Sequence, residues 1–157
     1  MADINIENFY KHIAKIFTLL YANFPSKTAI YVDEVAGIDA PDEYGLHSPQ
    51  YTAGFYALIW LSDENYLRYS DEIRQDGIDQ AILTHKAFLR LSEIADPIYI
   101  NPSPSEEDQN MVHLKVLVDP SPSIKENQKL VINQLRSALK SGSSIAISKV
   151  VLHILRA

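Results

Sequence analysis

The feature that most constrains the fold is the block 50–91, in which helical and extended patterns follow one another around a turn. Residues 51–61 are apolar at helical spacing, whereas residues 66–69 and 78–82 have the β-branched and aromatic composition of strands. An Asp-Gly pair in the stretch 74–77 favours a tight hairpin turn between the two strands. The block therefore predicts a helix, a β-hairpin and a second helix in direct succession.

Amphipathic segments on either side of this block complete a mostly helical chain. Residues 5–23 repeat apolar side chains every three or four positions, which predicts a long first helix. The run 28–32 is typical of a short strand, and residues 33–37 resemble a brief helix that glycine ends. Residues 124–140 and 143–155 are two amphipathic segments joined by a glycine-containing turn. The expected fold class is α+β, dominated by helices.

Prolines and serines predict a chain of three parts. Residues 1–96 form a first domain, residues 97–123 a Pro/Ser-rich connection, and residues 124–157 a C-terminal helical hairpin. Within the connection, residues 106–118 fit either a strand, from apolar alternation, or a helix, from the acidic turn that precedes them. The hairpin exposes apolar stripes unless it packs on the first domain or on another copy, so a homodimer through residues 124–157 is one expected assembly.

Composition is that of a globular protein without thiol chemistry. The chain has 157 residues, 46% of them hydrophobic, which is enough for a core. Cysteine is absent, which excludes disulfides, thiolate zinc sites and a cysteine nucleophile. The N-terminus does not resemble a signal peptide, and no uncharged apolar run is long enough to span a bilayer. We expect a cytoplasmic protein with no membrane partner.

Charge is unevenly distributed along the chain. The net charge is −6, and residues 1–98 contain seven basic and fifteen acidic side chains. Residues 99–157 contain seven basic and five acidic ones. The part with the helix–hairpin block is therefore the acidic part, which disfavours DNA as a partner because lysine and arginine must neutralise phosphates.

No catalytic motif accompanies these elements. The sequence contains neither a glycine-rich phosphate loop nor the short motifs of metalloproteases and serine hydrolases, so we predict that it is not an enzyme and uses no cofactor. Its five histidines are scattered, which predicts no metal site, and His12 is expected on a solvated helix face. The carboxylates of Asp39, Asp42 and Glu43 lie in an acidic loop that is either solvated or able to bind a cation.

Residues 5–94 resemble the winged-helix superfamily. The resemblance lies in the long first helix, the short strand 29–32, the helices that follow Asp33 and Ser48, and the hairpin 66–83. It implies a two-stranded wing and a DNA-binding transcription regulator, in which the helix before the wing enters the major groove. The residues that would contact nucleic acid are those at the start of that helix and in the wing: Gln50, Tyr51, Thr52, Arg68, Arg74 and Gln75.

The chain differs from this family pattern in its charges, and this difference suggests an alternative function. The helix before the wing contains no lysine or arginine, and four carboxylates surround the wing arginine Arg74. The alternative is a protein-interaction module that kept the scaffold and lost DNA binding. Aromatic side chains would then form the partner surface, drawn from Tyr44, Tyr51, Tyr56, Trp60, Tyr66 and Tyr69.

Overall fold

The computed structural model describes residues 3–98 and 127–156, and their fold is α+β with helices predominating. The helices are α1 (Ile4–Asn23), α2 (Val32–Ala36), α3 (Pro49–Asp63), α4 (His85–Ser92), α5 (Val131–Ser141) and α6 (Ser144–Leu155). The strands are β1 (Thr28–Tyr31), β2 (Leu67–Arg68), β3 (Asp71–Ile73) and β4 (Gly77–Leu83). The predicted connection 97–123 falls almost wholly outside the described residues, as does the ambiguous stretch 106–118.

Short polar side chains start three of the helices. The Ser48 hydroxyl accepts a hydrogen bond from the backbone N–H of Tyr51 at the start of α3. Thr84 accepts in the same way at α4, and Ser143 at α6. Each cap satisfies an N–H that has no partner within its own helix. The sequence predicts Ser48 and Thr84 as caps and leaves Ser143 and Ser144 as alternatives for the third; the structure confirms the first two and shows Ser143 as the third.

The four strands form a small antiparallel sheet around β4. Strand β1 lies on one side of β4, whereas β2 and β3 both pair with its other side. The first arm of the predicted hairpin is therefore divided into two strands, with Tyr69 and Ser70 between them. The hairpin reaches further than the sequence indicated, because β3 continues the pairing up to the turn.

In the turn of this hairpin, Arg74 and Gly77 have different roles. The Asp-Gly pair was predicted to favour a tight turn, and in the turn that forms the positive φ, 51°, belongs to Arg74. Gly77 is needed for space instead. A Cβ on Gly77 would overlap the carbonyl oxygen of Ile30, because the paired strand β1 lies very close to β4 at this point.

A small antiparallel bridge joins the two parts of the chain on either side of residues 99–126. Ile94 pairs with Leu130, and the N–H of Val131 donates to the carbonyl of Glu93 at 2.9 Å. Because Leu130 is used in this bridge, α5 begins at Val131, later than the predicted start at residue 124. The sequence could not show this, since the bridge depends on a partner far along the chain.

One hydrophobic core holds α1, the sheet and the two C-terminal helices together. Phe17 and Ile16 of α1 belong to the same buried cluster as Ile132 of α5 and Val150 of α6. The apolar stripes of α5 and α6 are therefore covered within the chain, and a second copy is not needed to cover them. No helix in the described ranges combines the length and apolar character that crossing a membrane requires.

Helix α1 is buried on more than one side, and this corrects the prediction for His12. Helix α3 packs against α1, and so do α5 and α6. His12 is only 2% exposed, although the sequence placed it on a solvated face. The prediction was wrong because it assumed one buried stripe on α1, whereas several elements pack around this helix.

Hydrogen bonds from Arg90 connect α4 to the end of α6. Its guanidinium donates to the backbone carbonyls of Ile154, at 3.2 Å, and of Arg156, at 2.7 Å, and also to that of His153. These are carbonyls at the end of a helix, where intrahelical partners are missing and a positive charge is favourable. The arginine thus connects the hairpin-containing part of the chain to its C-terminal part.

Candidate functional site

A polar cluster surrounds the start of α3. The ring of His47 lies between two carboxylates, with Nδ1 at 3.1 Å from Asp39 Oδ2 and Nε2 at 3.6 Å from Asp76 Oδ1. The same ring stacks on Tyr51, with ring centroids 3.8 Å apart and an interplanar angle of 15°. The cluster therefore joins the loop before α3 to the tip of the hairpin.

Tyr51 is a buried member of this cluster. Its hydroxyl donates to Asp76 Oδ1 at 3.0 Å. Burial, followed by this hydrogen bond and the nearby negative charges, raises the pKa of Tyr51 to about 12. The hydroxyl is thus a neutral donor that is already engaged within the protein.

The acidic loop before α3 uses two of its carboxylates to order its own backbone. Asp39 Oδ2 accepts from the N–H of Ser48 at 2.9 Å, and this bond holds the pKa of Asp39 below its usual range. Asp42 Oδ1 accepts from the N–H groups of Tyr44 and Leu46, each at 2.9 Å. Within residues 3–98 and 127–156, no group of three or more potential ligands is arranged to hold a metal ion.

The structure brings together three of the six residues predicted to contact nucleic acid. Tyr51, Thr52 and Gln75 line a depression of about 120 Å³, together with His47. The Thr52 hydroxyl donates to the backbone carbonyl of Ser48 at 3.2 Å, so it too is engaged within the helix. Of these three side chains, only Gln75 is exposed.

The other three predicted residues are separate from that depression. Gln50 is exposed in the first turn of α3, and Arg74 is exposed at the tip of the hairpin. Arg68 lies on β2 and lines a different depression. The electrostatic surroundings of the α3 start are acidic, because Asp39 and Asp76 contact the cluster directly.

A group of neighbouring aromatic side chains lies on α1 and α3, at least partly exposed. Tyr56 and Trp60, one helical turn apart on α3, are 58% and 38% exposed. The Trp60 ring packs edge-on against Phe9 of α1, with centroids 5.2 Å apart, and Phe9 in turn contacts Tyr10. Ile6, one turn before Phe9, is 43% exposed. We call these five side chains the aromatic face.

The chain has no match among protein-family models, curated proteins or solved structures. Functional inference therefore depends on the geometry of its own residues. Two surfaces are candidates, the polar cluster at the start of α3 and the aromatic face.

Sequence reasoning found only part of the aromatic face. It named Tyr56 and Trp60 among candidate partner residues, but it assigned Ile6 and Phe9 to the buried stripe of α1. Helical spacing counted both as part of one buried stripe, but Ile6 is exposed and Phe9 is only partly buried against the core. Of the other aromatic candidates, Tyr44 is exposed, whereas Tyr66 is buried and donates its hydroxyl to the carbonyl of Leu155.

Proposed function

We propose that this chain is a protein-interaction module on a winged-helix scaffold, and that its aromatic face contacts the partner. The order of elements supports the scaffold: a long helix, a short strand, two helices and then a hairpin, as in the family that residues 5–94 resemble. The scaffold alone decides little about function, because one fold serves many roles. The surface chemistry of the described residues carries the rest of the proposal.

The observation that carries the proposal is a group of exposed and partly exposed aromatic side chains that are neighbours on α1 and α3. Single exposed apolar side chains are ordinary, whereas a connected group of them is typical of a binding surface. Tryptophan and tyrosine are also the residues that contribute most to affinity at protein interfaces. Trp60, Tyr56 and Ile6 offer such a group on two helices that pack rigidly on each other.

The hydrogen bonds and negative charges at the start of α3 favour a protein over DNA as the partner. The hydroxyls of Tyr51 and Thr52 are engaged within the protein, and carboxylates flank the depression that they line. A duplex approaching this surface would meet negative charge where phosphate contacts require positive charge. The hairpin tip contributes a single cation, Arg74.

Photo-crosslinking tests the proposal in the cell of origin. A photoreactive phenylalanine analogue is placed at Tyr56 on the aromatic face and, as a matched control, at Leu89 on α4, which is 51% exposed but lies on another surface. We expect a discrete adduct with one protein from position 56 only. Trp60→Gln should reduce that adduct strongly, because the ring is at the centre of the face.

Reconstitution then decides whether the adduct reflects binding. With the purified partner, Tyr56→Ala should weaken binding at least about tenfold, as expected for a central aromatic contact, and Leu89→Ala should leave it unchanged. Equal adducts from positions 56 and 89, or equal affinities for the two alanine variants, would reject the aromatic face as the binding surface.

DNA binding through the wing is the second candidate, and the exposure of Gln50, Arg74 and Gln75 favours it. In this case, affinity for duplex should fall steeply as salt rises, and Arg74→Ala should weaken it. Tyr56→Ala should then have little effect. A flat titration against mixed-sequence duplex at about 50 mM salt, where phosphate contacts are strong, would eliminate this candidate.

A further inference from the structure

A second depression lies on the more exposed side of β4 and shares no lining residue with the depression at the start of α3 or with the aromatic face. It has a volume of about 120 Å³ and is lined by Lys27, Arg68, Tyr69, Ser70, Gln80 and Ile82. Arg68 stands opposite Ile82 in the β2–β4 register, so the two side chains share one side of the sheet. Lys27 directly precedes β1, on the other side of β4. Two cations therefore flank one apolar side chain across three strands.

A strained residue contributes to the same depression. The register between β1 and β4 shifts between Thr28 and Ile30, which marks a β-bulge. In the bulge, Gln80 has a φ of 56°, a left-handed conformation that is uncommon for a residue other than glycine. Bulges frequently redirect a side chain toward a site, and strained residues concentrate at functional positions. The Gln80 side chain lies at the depression that the two cations flank.

The polar side chains of this depression have unused hydrogen-bonding capacity. Lys27, Arg68, the Ser70 hydroxyl and the Gln80 amide form no hydrogen bond or ion pair with the part of the chain that the structure describes. The Tyr69 hydroxyl, in contrast, donates to Glu72 Oε1 at 3.1 Å. Four side chains able to donate thus converge on one small space.

We propose that this depression binds a phosphate group, either as inorganic phosphate or as a small phosphomonoester. The guanidinium fork matches two oxygens of a phosphate, and the lysine ammonium adds a second positive charge. Ser70 and Gln80 supply neutral donors, and Ile82 offers an apolar wall to an ester substituent. The site is independent of the aromatic face and of the protein partner proposed for it.

The surrounding charges favour a small ligand over a nucleic acid. The same hairpin carries Asp71, Glu72 and Asp79, and the Asp79 carboxylate accepts from the N–H of Gln80 at 2.8 Å. A single phosphate needs only the local pair of cations, whereas a polyanion would extend over these carboxylates and be repelled.

Titration with inorganic phosphate and with methyl phosphate, followed by backbone amide NMR at constant ionic strength, tests the proposal on the full chain. We expect saturable shifts at Arg68, Ser70 and Gln80. Lys27→Gln and Arg68→Gln should each weaken binding at least tenfold. Arg74→Gln removes an exposed arginine from the same hairpin, outside the depression, and should leave the affinity unchanged.

Comparing the affinities for the two ligands shows whether the site binds the free phosphate ion or a phosphate ester. Tighter binding of inorganic phosphate assigns the site to the free ion, and equal or tighter binding of methyl phosphate assigns it to an ester. Identical shifts with sodium chloride, or equal losses in Arg74→Gln, would overturn the proposal. So would a protein that binds neither ligand but binds duplex DNA through Arg68.

Discussion

At the scale of single residues, burial decides the chemistry of His12. The side chain is enclosed, and its Nδ1 has no hydrogen-bond partner within the described residues. Burial, with a smaller contribution from Lys15, lowers the pKa of His12 from its ordinary 6.5. The folded protein therefore holds this histidine neutral at a pH where the unfolded chain already takes up a proton.

His12→Leu should make stability less dependent on pH. Below pH 6.5 the unfolded chain protonates His12 while the folded protein does not, so the free energy of unfolding falls as the pH falls toward the lowered pKa. The loss is at most about 1.4 kcal/mol per pH unit for one proton. Urea denaturation at pH 7.5, 6.5 and 5.5 should show a smaller decline for His12→Leu than for the wild type.

The exposed His85 provides the control for this measurement. His85→Gln removes a histidine from the protein surface and should keep the wild-type decline in stability. Parallel pH profiles for the wild type and His12→Leu would show that His12 does not remain neutral on folding.

At the scale of secondary-structure elements, the sheet depends on how closely β1 approaches β4. Gly77 begins β4 at the point where the Ile30 carbonyl occupies the position that a Cβ would take. The adjoining turn residue Arg74 carries the left-handed backbone that the hairpin requires. Gly77 thus allows β1 and β4 to pair closely, whereas Arg74 provides the left-handed backbone of the turn.

Gly77→Ala should destabilise the protein by about 2–3 kcal/mol, because the added methyl group forces the two strands apart. Gln75→Ala, at the exposed tip of the same hairpin, should change stability by less than about 0.5 kcal/mol. Chemical denaturation of both variants measures the difference. A neutral Gly77→Ala would show that β1 does not pass this closely over β4.

Elements with local signals could be predicted, and elements set by distant partners could not. The caps at Ser48, Thr84 and Ser143 need only the residues beside them, so the sequence located the first two helix starts and narrowed the third to Ser143 or Ser144. The start of α5 was missed because it depends on the bridge to Ile94. Tyr51 was expected at the surface because the residues that contact it are also distant in the sequence.

At the candidate site, too, the contacts between residues distant in the sequence could not be predicted. Periodicity could place Tyr51 in the first turn of α3, but its burial results from His47 and Asp76, which arrive from two separate loops. Arg68 and Gln75 were grouped with it because both belong to the hairpin. The divided first arm places Arg68 on β2, where it lines a separate depression.

At the scale of the whole molecule, the first and last parts of the chain share one core. Ile147 and Ile154 of α6 are buried in the same cluster as Leu20 of α1 and Leu91 of α4. Arg90 adds hydrogen bonds between α4 and the end of α6. Residues 1–96 were predicted as a separate domain, and nothing in this shared core favours independent folding of that part.

A chain ending at residue 98 should fail to form a stable native structure. Removing α5 and α6 exposes the buried side of α1, and the remaining apolar contacts do not offset the loss of conformational entropy. Circular dichroism should show a non-cooperative thermal transition for the fragment. The full chain should unfold in one step that is the same by circular dichroism and by fluorescence of Trp60, its only tryptophan.

A cooperative transition in the 1–98 fragment would contradict this expectation. In the full chain, Leu61→Ala in α3 and Ile147→Ala in α6 should shift both signals together, since both side chains are buried in the common core. Separate transitions for the two probes would instead establish two folding units.

Gln134 fixes the place where the chain leaves this core and returns to it. Its side-chain amide donates to the carbonyls of Ala95 and Lys129 and accepts from the N–H of Ile98. Because the two flanks are bonded to each other here, their contacts do not depend on the length of the chain between residues 98 and 127. Doubling the length of a closed segment costs only about 0.6 kcal/mol in closure entropy. A sequence inserted between residues 98 and 127 should therefore leave these contacts in place.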